Sequence, residues 1–211
     1  MVEKDQLDAL KDIRSMMKQS SKFLSLSGLS GVFAGIYALV GAYLGNCFIN
    51  DFIQTGEYLE GYTSQYFQLL IKLLVVCIGV LMLSIVSAFY FSNRKAKKLG
   101  QKLFDYTTLR LFINMFIPLL AGGLFCLAML LHGGHFVLLV GPCMLIFYGL
   151  TLVNGSKYTL HDIRYLGILE IVLGLIAVFY LGYGIIFWSI GFGVLHILYG
   201  IYMWFKYDKQ L

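Results

Sequence analysis

The stretch Gln68–Phe91, QLLIKLLVVCIGVLMLSIVSAFYF, decides the class of this chain, and Lys72 is its only charged residue. A helix needs about 20 mainly apolar residues to cross a bilayer, and this stretch supplies them. Similar runs recur along a chain of 211 residues that is 59% hydrophobic and 13% charged. Such proportions leave too few polar residues to cover a soluble globule, and they exclude a soluble enzyme and a disordered chain. The sequence predicts an all-α, polytopic membrane protein.

Six apolar stretches predict six transmembrane helices. The connections at 132–135 and 182–184 are very short. Because short links make neighbouring helices antiparallel, we expect three helical hairpins in succession. The predicted spans are about 26–48, 68–91, 111–131, 136–153, 165–181 and 185–205, within a transmembrane domain of residues 23–211.

The basic residues predict the orientation of the spans. Of the 16 Lys and Arg residues, all except Lys72 fall on one side of the predicted spans. This side is cytoplasmic by the positive-inside rule, so both termini are predicted to lie in the cytoplasm. Lys72 falls near the outer end of the second span, where its long side chain can reach the interface.

Residues 1–22 precede the first span and predict an amphipathic helix, with apolar residues at helical spacing: Leu7, Leu10, Ile13 and Met17. Such a helix anchors a protein to membrane lipids at the headgroup surface. The alternative is a docking helix for a cytoplasmic protein partner. The basic run 93–102 is interpreted as a topology determinant, because it lacks the base-reading and stacking residues of a nucleic-acid site. No nucleic-acid partner is expected.

An internal repeat relates the third and fourth spans to the fifth and sixth. A constant offset without a gap superposes Gly123–Leu124 on Gly174–Leu175, and Tyr148–Gly149 on Tyr199–Gly200. Both units have the same predicted topology, so the repeat is parallel rather than inverted. The first two spans are expected to be a third, diverged hairpin.

Glu170 in the fifth span and His196 in the sixth are the polar residues that stand out. A charged side chain in mid-membrane costs about 2.5–3.5 kcal/mol on insertion scales, so its position is informative. Both residues are equally far from Tyr183 in the intervening turn. In an antiparallel pair this means equal depth, roughly 20 Å from the turn at about 1.5 Å per residue. We predict that carboxyl and imidazole lie level, in the inner half of the membrane.

Small residues accompany both side chains and are expected to bring the fifth and sixth spans together, namely Gly167, Gly174, Gly193 and Gly200. At similar depth, Asn114 and Tyr199 could extend the polar network. The simpler interpretation is a buried pair that fixes the register of two helices. The functional interpretation is a centre that handles a proton or a polar ligand, since imidazole changes its protonation near neutral pH.

A further stripe of small residues in the first span contains Gly28, Gly31 and Gly35. It predicts a packing face, either toward another helix of the chain or toward a second protomer in a homo-oligomer.

Other polar residues give weaker indications. His132 and His135 could bind a metal, but no third ligand is evident, and no cofactor is expected. Asp162 and Arg164 are expected to neutralise each other at the inner surface. The four cysteines show no paired spacing and are interpreted as small apolar residues.

The C-terminal part of the chain carries a resemblance. Its motifs are Tyr158-Thr159-Leu160, Ile163-Arg164-Tyr165-Leu166-Gly167, Trp188, Gly191-Phe192-Gly193, Leu195-His196 and Tyr199-Gly200. In these the chain resembles a group of uncharacterised six-helix bacterial inner-membrane proteins. The resemblance implies the same helix number and a bacterial inner membrane, and it brings no activity with it.

Two classes of function follow from these observations. The first is a small-solute or proton-linked transporter that uses Glu170 and His196. The second is a non-catalytic membrane sensor or assembly partner that engages a cytoplasmic protein. An enzyme ranks third and no catalytic residue is predicted, because no nucleophile, metal cluster or phosphate-binding loop is visible in the sequence.

Overall fold

The computed structural model describes residues 25–55, 63–100 and 106–209, which form helices and no strand. The prediction of an all-α fold is confirmed for these residues. The predicted amphipathic helix at 1–22 lies outside them. Numbered in chain order, the helices are α1 (Gly28–Gln54), α2 (Ser64–Lys98), α3 (Tyr106–His132), α4 (Val140–Gly155), α5 (Ile163–Phe179) and α6 (Gly184–Asp208).

Five of these helices are long and apolar enough to cross a membrane, when α4 is taken with the 3₁₀ segment Gly134–Leu139 that precedes it. The exception is α5, which has 17 residues. Its length of about 26 Å falls a little short of a hydrocarbon core of about 30 Å. The helices of the described residues are thus compatible with a multi-pass membrane protein.

The second helix extends well beyond its apolar run. It has 35 residues, and its last turn carries Lys95, Lys97 and Lys98. Cations are favourable at this end because the helix dipole is negative there. At about 1.5 Å per residue α2 is roughly 50 Å long, so its basic end projects beyond the hydrocarbon core.

Two closely packed helix pairs form the centre of the molecule. One pairs α4 with α5, and the other pairs α1 with α6. The second helix lies against α1, and α3 lies against α4. Between α5 and α6 the contact is much smaller and is concentrated near the start of α6.

Glycines set the spacing in both pairs. A Cβ atom added to Gly149 would lie 2.5 Å from the carbonyl oxygen of Gly167, across the α4–α5 contact. A Cβ atom added to Gly200 would lie 2.7 Å from the carbonyl oxygen of Gly28, across the α6–α1 contact. Since Gly149 and Gly200 are equivalent in the internal repeat, the same small-residue contact is used twice.

The structure assigns the predicted glycine stripes to different partners. Gly167 and Gly174 pack against α4, whereas Gly193 and Gly200 pack against α1. The expectation that they join α5 to α6 is therefore wrong. The stripe of Gly28, Gly31 and Gly35 packs against α6 of the same chain, so this face is already occupied within one protomer.

Candidate functional site

Three helices bring one polar side chain each to the interior of the bundle. These are Tyr148 from α4, Glu170 from α5 and His196 from α6, which we call the buried triad. Glu170 has 0% exposure and His196 has 7%. Oε1 of Glu170 lies 3.4 Å from Nδ1 of His196. The two ionisable groups are thus neighbours in a region shielded from the surroundings.

The contacts of His196 determine where its ring proton lies. Nδ1 is 3.0 Å from the carbonyl oxygen of Gly191, which can only accept a hydrogen bond. Nδ1 therefore carries a proton. In a neutral ring Nε2 is then the acceptor, and it lies 2.8 Å from the hydroxyl of Tyr148, which donates.

Glu170 differs from its neighbour because neither carboxyl oxygen has a hydrogen-bond partner among the residues that the structure describes. A Cβ atom added to Gly191 would lie 2.5 Å from Oε2, so the carboxyl fits only because residue 191 has no side chain. The side chain of Leu145, which is also fully buried, lies against the same face of Gly191 as the carboxyl. A buried polar group without partners is costly and calls for an explanation beyond packing.

Aromatic rings surround the imidazole. The ring of Tyr148 lies 5.0 Å from that of Phe192 and 5.3 Å from that of His196. The ring of Trp188 lies 5.1 Å from that of Phe192, which stacks on His196 at 6.0 Å. These rings hold the imidazole in place and add apolar area around the triad.

A local change in helix geometry precedes His196. Residues Ser189–Leu195 form a π-helical segment, and regular α-helix resumes at His196. Such segments are rare and often lie at functional sites. Here the segment contains Gly191, which both bonds the imidazole and makes room for the Glu170 carboxyl.

A second polar cluster lies at the end of the bundle where α1 begins and α2 ends, which is the predicted inner end, and we call it the inner clamp: Ser27, Gly28, Lys95 and Asp208. The carboxylate of Asp208 pairs with Nζ of Lys95 at 2.7 Å. It also accepts hydrogen bonds from the Ser27 hydroxyl at 2.7 Å and from the Gly28 amide at 2.9 Å. Lys95 donates to the carbonyl oxygen of Leu26 at 2.9 Å. The clamp joins α6 to the beginning of α1 and the end of α2.

Asp162, directly before α5, forms a separate ion pair with α6. Its carboxylate accepts hydrogen bonds from Lys206 at 2.6 Å and from the Tyr207 hydroxyl at 2.8 Å. Burial alone would raise the pKa of this carboxyl, but the two hydrogen bonds outweigh it, and the pKa lies below its ordinary value. The expected pairing of Asp162 with Arg164 is wrong, because residues far along the chain occupy the carboxylate.

The two residues predicted to extend the network, Asn114 and Tyr199, differ in their hydrogen bonding. Asn114 donates to the carbonyl oxygen of Arg110 in its own helix, and its backbone oxygen accepts from Asn154. The hydroxyl of Tyr199 is buried and has no hydrogen-bond partner among the described residues. Neither residue hydrogen-bonds to the triad in the described part of the chain.

No third ligand joins His132 and His135 among the described residues. Nδ1 of His132 lies 2.8 Å from the carbonyl oxygen of Ala128 in the same helix, and His135 is exposed. Within the ranges 25–55, 63–100 and 106–209, no group of three or more His, Cys, Asp or Glu residues could hold a metal ion.

The sequence did not predict several residues of these two clusters. The sequence does contain an indication of Tyr148, since the internal repeat aligns it with Tyr199, a predicted member of the network. No sequence pattern indicates Gly191 or Asp208, because their roles depend on contacts across the bundle. The sequence predicted Lys95 only as part of the basic run that sets the membrane topology, although its side chain is only 7% exposed.

Comparisons with known proteins add no further assignment. No protein-family model, no curated protein and no solved structure matches the chain. The site is therefore interpreted from its own geometry.

Proposed function

We propose that the chain is a six-span protein of a bacterial inner membrane, with three successive hairpins and both termini in the cytoplasm. Three observations support this. Five helices are long and apolar enough to span a membrane, and α5 is short by few residues. The basic residues, Lys72 excepted, fall on one side of the spans.

Labelling of single cysteines tests this topology. In a variant without the native Cys47, Cys77, Cys126 and Cys143, cysteine replaces Glu57, Lys97 or Lys209 one at a time. We expect a membrane-impermeant maleimide to label position 57 in spheroplasts, and positions 97 and 209 only after lysis. Labelling of position 97 in sealed spheroplasts would reverse the orientation.

We further propose that the protein is a proton-linked transporter of a small solute, with the buried triad as its proton-handling centre. One observation carries this proposal. Glu170 is fully buried, has no hydrogen-bond partner among the described residues, and lies beside an imidazole. A carboxyl that served only to fix helix register would be expected to have its oxygens paired.

The chemistry of the triad suits reversible proton binding. The Nδ1 proton of His196 lies between the Gly191 carbonyl and Oε1 of Glu170. When it moves to Glu170, the Tyr148 hydroxyl can protonate Nε2 across 2.8 Å and regain a proton from a water molecule, so that one proton is taken up in total. The carboxyl is then neutral, a form that is far less costly inside a membrane than the charged one. Its protonation therefore provides a free-energy difference that can drive a conformational change.

Infrared difference spectroscopy tests whether Glu170 exchanges protons with bulk water, and it needs no substrate. In proteoliposomes stepped between about pH 5 and about pH 9, we expect a carboxyl C=O band that is absent in Glu170→Gln. The matched control is Asp51→Asn, which removes an exposed carboxyl in the last turn of α1. A carboxyl spectrum that is the same in Glu170→Gln and in the unmodified protein would refute proton handling by this residue.

The second candidate is a non-catalytic sensor or assembly partner that binds a cytoplasmic protein. It is favoured by the closed packing around the triad, since Glu170 is fully buried and glycine contacts hold α4–α5 and α1–α6 tightly together. Two results together would favour this sensor or assembly partner over the transporter. Glu170→Gln would change neither the infrared spectrum nor growth, and deletion of residues 1–22 would reproduce the growth defect of a strain that lacks the protein.

A further inference from the structure

Three tyrosines surround an apolar cluster that lies between the buried triad and the inner surface. Tyr148, Tyr199 and Tyr207 all pack against it, and its members are Leu152, Leu160, Ile163, Leu166 and Met203. The members are almost completely buried, with exposures between 2% and 6%. The tyrosine hydroxyls are thus the polar groups that accompany this otherwise apolar layer.

The tyrosine at the inner end of the layer is connected to a group that water reaches. The Tyr207 hydroxyl donates to Asp162 across 2.8 Å, and the same carboxylate binds Lys206, whose side chain is 42% exposed. A proton from the cytoplasmic solution can therefore reach this point without crossing apolar protein.

The tyrosine at the other end of the layer belongs to the triad. The Tyr148 hydroxyl lies 2.8 Å from Nε2 of His196. From Nδ1 of the same ring it is 3.4 Å to Oε1 of Glu170. A proton that reaches Tyr148 is therefore two transfers from the carboxyl.

Tyr199 lies on α6 between His196 and Tyr207, and its hydroxyl is buried without a hydrogen-bond partner among the described residues. The centroid of the Tyr199 ring lies 6.1 Å from that of Tyr202, and Tyr199 packs against the same apolar cluster as Tyr207. A hydroxyl that is kept in an apolar layer at this cost needs a partner that is polar and small, and a water molecule meets both requirements.

We infer that Tyr199 is the middle station of a proton path that leads from the Asp162–Tyr207 pair at the cytoplasmic surface, past the apolar cluster, to Tyr148, His196 and Glu170. The inference deepens the proposed function and rests on it, because the path ends at the proposed proton-binding carboxyl.

The transfers along the path balance. Asp162 takes up a proton from the solution and passes it to the Tyr207 oxygen, and the Tyr207 O–H gives its own proton to a water on the inner side of Tyr199. That water gives a proton to the Tyr199 oxygen while the Tyr199 O–H gives its own proton to a water on the triad side. Tyr148 accepts that proton and passes its own to Nε2 of His196, and Nδ1 releases its proton to Glu170. One proton leaves the cytoplasm, one arrives on Glu170, and each tyrosine ends as it began. Return along the same route restores the histidine.

The ionisable groups along the route come from four helices and the turn before α5. They are Lys95 from α2; Tyr148 from α4; Glu170 from α5; His196, Tyr199, Tyr202, Lys206 and Tyr207 from α6; and His161 and Asp162 from the turn. The cation of Lys206 keeps Asp162 ionised, so the carboxylate at the entrance is able to accept a proton.

The experiment measures the rate at which Glu170 is protonated after a pH jump on one side of the membrane. Oriented proteoliposomes carry the protein with its cytoplasmic face outward, and time-resolved infrared absorption follows the carboxyl band lost in Glu170→Gln. In Tyr199→Phe we expect the rate to fall by about 10²-fold, the loss typical of a missing proton carrier, with the same final amplitude. Tyr165→Phe, at an exposed position on α5, is the matched control and should keep the normal rate.

A second variant covers the case in which Tyr199→Phe does not fold. Tyr207→Phe removes the donor at the entrance and should slow the same band. An unchanged rate in a folded Tyr199→Phe, or in Tyr207→Phe where the first does not fold, overturns the path while the proposed function stands. If the unmodified protein shows no Glu170 carboxyl band after a pH jump on either side of the membrane, the proposed function itself fails. The path then fails as well.

Discussion

The buried triad and the inner clamp are both built around a carboxyl group on or beside α6, yet the two carboxyls are treated in opposite ways. Asp208 in the clamp has a lysine, a hydroxyl and a backbone amide as partners, at 2.7 to 2.9 Å. Glu170 in the triad has a single imidazole at 3.4 Å and no hydrogen bond among the described residues.

This difference distinguishes a polar group that stabilises the fold from one that is available for a function. A charge with its hydrogen bonds satisfied stabilises a fixed arrangement of helices, because removing any partner leaves the others exposed to the cost of desolvation. A carboxyl without partners contributes little to such an arrangement and is free to gain or lose a proton.

The largest effect is expected from Lys95→Met in the clamp. The substitution leaves the carboxylate of Asp208, which is 11% exposed, without its cation. Breaking a fully buried pair costs about 3–5 kcal/mol, and we expect the loss here to approach the lower end of that range. We expect a clear fall in the thermal melting temperature of detergent-solubilised protein. Lys97→Met, at an exposed position two residues along the same helix, is the control and should melt normally. Equal melting of both variants would show that the clamp does not stabilise the fold.

A smaller and asymmetric effect is expected within the triad. His196→Leu leaves the Tyr148 hydroxyl and the Gly191 carbonyl unpaired, at a cost of about 1–3 kcal/mol. Glu170→Leu breaks no hydrogen bond to a described residue and should change stability by less than about 1 kcal/mol.

A double-mutant cycle completes this test. The double variant Glu170→Leu, His196→Leu should be close in stability to His196→Leu, since most of the loss comes from the histidine's partners. If Glu170→Leu alone destabilises the protein as much as His196→Leu, then Glu170 is a structural residue like Asp208, and the contrast drawn above disappears.

The smallest effect is expected from acid at the Asp162 pair. The pKa of this carboxyl is lower in the folded protein than in the unfolded chain, where it is about 3.9. Its contribution to stability is therefore complete above that value, and it is lost as the pH falls through the lower folded pKa. Because Lys206 is partly exposed, the loss should be below about 1 kcal/mol. Melting curves between about pH 6 and about pH 3 measure it, and Asp162→Asn should be less sensitive to acid.

Local patterns were sufficient for the helices and for part of the site. Apolar runs located all six helices to within a few residues at most ends, because the hydrophobicity of a span is a property of the segment itself. The equal spacing of Glu170 and His196 from Tyr183 predicted a common depth, and the structure places their side chains 3.4 Å apart.

Contacts between distant segments could not be predicted in this way. Lys95 and Asp208 are 113 residues apart, and Ser27 and Asp208 are 181 apart. The small-residue stripes of α5 and α6 showed that close packing occurs, but they did not identify the partner helices, because a glycine face fits any other small face. The π-helical segment before His196 also has no local signal, since it depends on how α6 packs against its neighbours.

The inner clamp also has a consequence for how the protein is made. Ser27 and Gly28 emerge from the ribosome long before Asp208, which follows after a further 181 residues in the case of Ser27. At a translation rate of about 5–20 residues per second, the interval is roughly 10–40 s. During this time the glycine face of α1 lacks α6 and the basic end of α2 lacks its carboxylate. The pair of α1 and α2 must therefore wait until the last helix arrives and completes the fold.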